Sequence, residues 1–77
     1  MTENDAQASA ERWVIDACRD FKLPTSGPED DFLSIGGTSI TLLRLMTKAE
    51  DELGVTLEPE EILEAGTLRG IAALLAR

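Results

Sequence analysis

Apolar positions in this chain recur at helical spacing in several stretches, and nowhere do they alternate convincingly over the length of a strand. Ala10, Val14, Ala17 and Phe21 follow an i, i+4, i+7, i+11 pattern, with Trp13 and Cys18 flanking the stripe. They predict a first helix from about Ser9 to Phe21, with Ser9 as N-cap. Leu23-Pro24 ends it, because a residue before proline avoids α geometry. Leu42, Leu45, Met46, Ala49 and Leu53 converge on one face of a second helix, from about Ser39 to Leu53, and Gly54 supplies its stop. Pro59 suits the first position of a short third helix, Pro59 to Leu63, where a missing N–H costs nothing. Thr67 caps a fourth, from Leu68 to Ala76, on which Leu68, Ile71, Ala72 and Leu75 form the apolar stripe. The predicted fold class is all-α: a small four-helix bundle of three main helices and a short third one, with a long loop between helices one and two.

That loop, Pro24 to Thr38, is long for so small a domain, and loops of this kind are often functional. Gly27-Pro28 punctuates it, and Phe32, Leu33 and Ile35 are expected to pin it to the core. Gly36-Gly37 permits a sharp turn, since glycine reaches positive φ at little steric cost. The turn delivers Ser39 to a helix N-terminus, where unpaired N–H groups and the helix dipole favour a phosphate. On the local sequence alone a cap is the favoured reading of Ser39, a role for which Thr38 competes. Arg44, Lys48 and Asp51 lie away from the apolar face of the second helix, and Ile40 falls about 160° from its centre. Leu43 and Thr47 sit on the margin that also carries Ser39. A large apolar residue beside Ser39 and opposite the core suggests partner docking, with Ile40, Leu43, Arg44 and Thr47 as candidate contacts.

Composition narrows the picture. The 77 residues make one small domain with a net charge of −8, one cysteine and no histidine. The acidity argues against nucleic acid and against an anionic membrane surface, and would steer basic partners toward the chain. A lone cysteine allows no internal disulfide and suggests a reducing, cytoplasmic setting. Without histidine Cys18 has no catalytic base, so it reads as a small buried hydrophobe. Trp13 reads as core or core margin. The acids Asp30, Asp31, Glu58, Glu60, Glu61 and Glu64 lack the spacing of a calcium loop and read as solvated, so no metal site is expected. Met1 and the polar residues after it look like a natural start followed by a frayed terminus, which suggests a free-standing chain, with a domain excised from a larger protein as the open alternative.

The run Asp31-Phe32-Leu33-Ser34-Ile35-Gly36-Gly37-Thr38-Ser39-Ile40 resembles the attachment site of phosphopantetheine carrier proteins, most closely the peptidyl carrier (thiolation) domains of nonribosomal peptide synthesis. The likeness continues through Glu52-Leu53-Gly54-Val55 and Ile62-Leu63-Glu64-Ala65-Gly66-Thr67-Leu68. Thr38 stands where many peptidyl carriers have histidine or aspartate, and Gly66 where they often have proline. The resemblance implies a carrier domain over residues 9–77 preceded by a flexible segment 1–8. It implies phosphopantetheine from coenzyme A joined covalently to Ser39, with Gly37 and Thr38 shaping the site. It implies a non-catalytic monomer in antibiotic-type biosynthesis, visited by a phosphopantetheinyl transferase, an adenylation enzyme and condensation or tailoring enzymes. The nearest rival is an acyl carrier of fatty-acid or polyketide synthesis. Such carriers typically have aspartate before the serine and an acidic second helix, whereas no acid occurs here from Phe32 to Ala49. The more distant rival is an unmodified acidic interaction module with Ser39 serving only as a cap.

Overall fold

The computed structural model describes residues 3–76, with side chains from Asp5 onward. Four helices follow in order: α1 (Glu3–Asp20), α2 (Ser39–Leu53), α3 (Pro59–Ala65) and α4 (Leu68–Ala76). Among the described residues the sole extended pairing is a single antiparallel bridge between Asp31 and Thr67.

The first helix begins at Glu3, not Ser9. Its apolar stripe starts only at Ala10, so hydrophobic spacing is blind to the preceding turns, where Asp5, Ala6, Ala8 and Ser9 face solvent. Residues 3–8 of the segment expected to be flexible are therefore helical, and Ser9 lies inside α1 instead of capping it. Residues 1 and 2 lie outside the described residues. At the other end Lys22 adopts a left-handed φ of 65°, and the Leu23 N–H returns to the Cys18 carbonyl at 3.0 Å. This closing pattern ends α1 at Asp20, ahead of Pro24. The third helix runs two residues beyond the expected Leu63, because Gly66 closes it at φ 73°. Proline, fixed near −65°, cannot take that conformation.

Val14, Ala17 and Cys18 of α1 pack with Leu68, Ile71 and Ala72 of α4, joined by Leu42, Leu45 and Ala49 of α2, by Ile62 and by Leu57. Met46 and Trp13 are half-buried at the margin. Leu53, expected on the core face, is 42% exposed, because it falls in the last turn of α2 where the bundle no longer covers it. Burial pushes the Cys18 thiol up to about 11, helped by the Asp30 charge, so it stays protonated and inert at neutral pH.

The long loop is anchored by Phe32, 2% exposed, and by half-buried Ile35. Leu33, expected to help, is 57% exposed. Turn bonds from Ile35 N–H to Asp31 O and from Gly36 N–H to Leu33 O wind the backbone so that Phe32 points in and Leu33 out. The loop also ties into α4. Phe32 N–H donates to Gly66 O at 2.8 Å, Leu68 N–H to Asp30 O at 2.9 Å and Arg69 N–H to Pro28 O at 2.8 Å. Helix termini leave their first N–H groups without intrahelical partners. Here the loop carbonyls take two of them, and the Thr67 hydroxyl takes a third from Gly70 at 3.1 Å.

Candidate functional site

The site is the junction of that loop with α2. Gly36 has a φ of 100°, the left-handed region that favours glycine. Gly37 is needed for a different reason. A Cβ there would lie 2.5 Å from both the Phe32 ring and the Phe32 carbonyl, and the Gly37 N–H donates to that carbonyl at 3.0 Å. The expected double turn is thus one turn and one close approach. Upstream, Asp30 accepts from the N–H groups of Ser26 and Gly27, at 2.6 and 3.1 Å, and these bonds hold its carboxyl below the usual range. Asp31 accepts from Ser34 N–H at 3.0 Å. The two acids that read as merely solvated shape the loop.

Thr38, not Ser39, is the N-cap of α2. Its hydroxyl accepts from Thr41 N–H at 3.4 Å, while its own N–H donates to the Thr41 hydroxyl at 2.6 Å. This reciprocal capping box closes with threonine where glutamate or glutamine is usual, so the ordinary sequence signature missed Thr41. Ser39 is left as the first helical residue, exposed, with its hydroxyl in no hydrogen bond among the described residues. The N–H groups of Ser39 and Ile40 likewise have no acceptor there. A free hydroxyl, two free amides and the positive end of a helix dipole therefore face solvent together, with no acid from Phe32 to Ala49. A phosphate ester fits this setting on both charge and donors.

The outer face of α2 continues from there. Ile40 is 65% exposed, opposite the core as expected, and Leu43, expected on the margin, is nearly as open at 56%. Arg44 and Thr47 are exposed on the same face, and Arg44 makes no ion pair among the described residues. With Phe21, in the turn just after α1, these residues line an open groove of about 520 Å³ that reaches Lys48, Asp51 and Glu52. Sequence reasoning missed the groove because Phe21 reads as an ordinary member of the α1 stripe. At its far end Lys48 donates to Glu52 at 2.7 Å and lies 3.7 Å from Asp20. Glu52 also accepts from the Trp13 indole at 3.1 Å. Among the described residues no cluster of His, Cys, Asp or Glu could hold a metal, and no helix is long and apolar enough to cross a membrane.

Residues 12–75 match the family model described as "Phosphopantetheine attachment site". Among curated proteins the chain is 38% identical over 50 residues to the hybrid PKS-NRPS synthetase pynA of Aspergillus niger, a match covering 65% of the chain and 1% of that protein. It is 38% identical over 53 residues to a dimodular nonribosomal peptide synthase of Bacillus subtilis, covering 69% of the chain and 2% of that protein. The matched stretch is therefore a very small part of each of these relatives. Among solved structures it resembles BlmI, a type-II acyl-carrier-protein from Streptomyces verticillus involved in bleomycin biosynthesis. The TM-score is 0.80 at 24% identity, over 92% of this chain and 87% of that one, which establishes the shared fold.

Proposed function

The chain belongs to the phosphopantetheine-attachment family, whose carrier domains bear that group covalently and catalyse nothing themselves; from that premise we propose that it is a peptidyl carrier modified at Ser39. The observation that carries the reading is the pairing of an unused, exposed Ser39 hydroxyl with the free N–H groups that open α2. Thr38 does the capping, which leaves the serine available for chemistry. On a transferase with coenzyme A and magnesium, the Ser39 oxygen attacks the β-phosphate. An oxygen–phosphorus bond forms, the pyrophosphate bond breaks, adenosine bisphosphate leaves and the serine proton passes to the transferase. The bound arm supplies a thiol that carries acyl groups as thioesters. The chain's own residues orient the ester oxygen and present the face that partners read, through Ile40, Leu43, Arg44 and Thr47. Tethering raises the effective concentration of cargo at partner active sites.

The carrier domain works with an adenylation enzyme and with condensation or tailoring enzymes, in antibiotic-type peptide assembly. The unpaired Cys18 thiol suits a cytoplasmic setting. The hybrid synthetases among the relatives keep an acyl carrier of polyketide synthesis as the second reading. The segment from Phe32 to Ala49, with two cations and no acid, favours the peptidyl one. Ser39→Ala should abolish the mass gain on treatment with coenzyme A and a promiscuous transferase, and Ser34→Ala should leave it intact. An unchanged gain in Ser39→Ala would refute the attachment site. Loading tests with a panel of amino-acid-activating and acyl-activating enzymes then separate the peptidyl from the acyl reading.

A further inference from the structure

We infer that the groove between Phe21 and the outer face of α2 is a seat for the arm carried on Ser39, and that it prefers an arm ending in a free α-ammonium group. The inference rests on the proposed attachment at Ser39.

The groove starts at Ile40, the residue after the serine, and runs to Asp51, about 16 Å along the helix axis at the α-helical rise. Its charges are ordered. Near the serine Arg44 is a cation without a partner among the described residues. Lys48, further along, is already engaged by Glu52 and Asp20. Asp51 at the far end is an exposed carboxylate in no ion pair among the described residues. An aminoacylated arm has the matching order, with an anionic phosphodiester at the serine, a neutral amide chain between and an ammonium at the tip. Ile40, Leu43 and Phe21 offer the apolar wall that the neutral part requires. The hydroxyl of Thr47 already donates to Leu43 O at 3.0 Å, so its oxygen is placed to accept from an arm amide. A simple acyl cargo has no group for Asp51.

The same face holds the partner contacts proposed above, so a partner docking on Ile40 and Leu43 displaces the arm from its seat. Cargo held along α2 between visits is then released by docking itself.

The test uses the full chain, isotope-labelled and loaded at Ser39 with alanyl-pantetheine or N-acetylalanyl-pantetheine, in which an amide replaces the labile thioester. The readout is the backbone amide shift of Thr47 and Asp51 relative to the unmodified protein. Removing the ammonium by acetylation should reduce the seated population about 1.5- to 5-fold, the worth of one exposed ion pair, and salt should narrow the difference. Asp51→Asn should erase the difference without altering modification. Equal shifts for the two cargoes, or shifts confined to the turn around Ser39, would overturn the seat while leaving the attachment intact. No mass gain at Ser39 would instead remove the attachment, and the seat with it.

Discussion

Two helices here meet the same loop, each under a threonine cap, and their N-termini are opposites. At α4 the loop's own backbone fills the donors. Leu68 and Arg69 reach Asp30 and Pro28, Gly70 reaches the Thr67 hydroxyl, and the Leu68 side chain is fully buried. At α2 the capping box satisfies Thr41, and the amides of Ser39 and Ile40 stay open beside exposed side chains. A threonine cap thus accompanies a sealed terminus in one place and one with two open amides in the other. What separates them is where the loop's carbonyls go. Phe32 sits between, donating its N–H to Gly66 before α4 while its ring leaves no room for a side chain at Gly37 before α2.

Phe32→Ala should therefore damage both junctions and give the largest loss of stability. Emptying a buried phenylalanine site costs about 3–5 kcal/mol. Thermal melting should show this as a large drop, with modification at Ser39 slowed in the fraction still folded. A melting temperature close to that of the parent would mean that the two junctions are held independently of Phe32.

Gly37→Ala should discriminate between them. Its added methyl must displace the Phe32 ring or backbone, a conflict of about 1–3 kcal/mol by the usual cost of overpacking. The loss should be felt at the α2 junction, so amide exchange of Thr41 and Leu42 should speed up more than that of Gly70 and Ile71. Uniform acceleration would show one cooperative unit instead of two junctions.

The contrast was only half legible from sequence. The core stripes of α2 and α4, the Gly54 stop and the Thr67 cap follow from periodicity and cap chemistry, because those signals are local. The beginning of α1 was invisible, since Ala6, Ala8 and Ser9 are exposed and form no apolar stripe. The role of Asp30 and Asp31 was equally hidden. Their partners are backbone N–H groups, which every sequence contains, so no pattern of residue types marks them. The same holds for the Asp31–Thr67 bridge, whose two halves lie far apart in the chain. The sequence marked Ser39 as the proposed attachment residue but not as one relieved of capping, because a threonine-closed capping box is a weaker pattern than the glutamate form.

The two faces of α2 sharpen the contrast at the level of single side chains. Leu42→Ala should cost about 2–5 kcal/mol, because Leu42 is 6% exposed. Ile40→Ala should stay within about 0.5 kcal/mol, as exposed substitutions usually do, yet slow loading by partner enzymes. Melting temperature set against loading rate separates the two. If Ile40→Ala destabilises like Leu42→Ala and loads normally, the outer face is not a docking face.

The smallest expected effect concerns the sealed junction, and its signature is a pH dependence. The Asp30 carboxyl is held below its ordinary value first by the Ser26 N–H, then by the Gly27 N–H, with the Ser26 hydroxyl adding to them. In the unfolded chain those donors are gone and the group returns to about 3.8. Between the folded and unfolded values the unfolded state binds more protons, so stability rises with pH across that window. The contribution is complete above about 3.8 and is lost as pH falls through the lower, folded value. Asp30→Ala should therefore lower stability near neutral pH, and its difference from the parent should shrink in the acid range. Because Asp30 also sets the turn whose carbonyls receive Leu68 and Arg69, the loss at neutral pH should appear as faster exchange at the start of α4. The start of α2 should not change. Denaturant melts of both proteins from pH 7 down to pH 2, with amide exchange at the two termini, measure this directly. A difference that stays constant with pH would show that the carboxylate charge plays no part in holding the loop against α4.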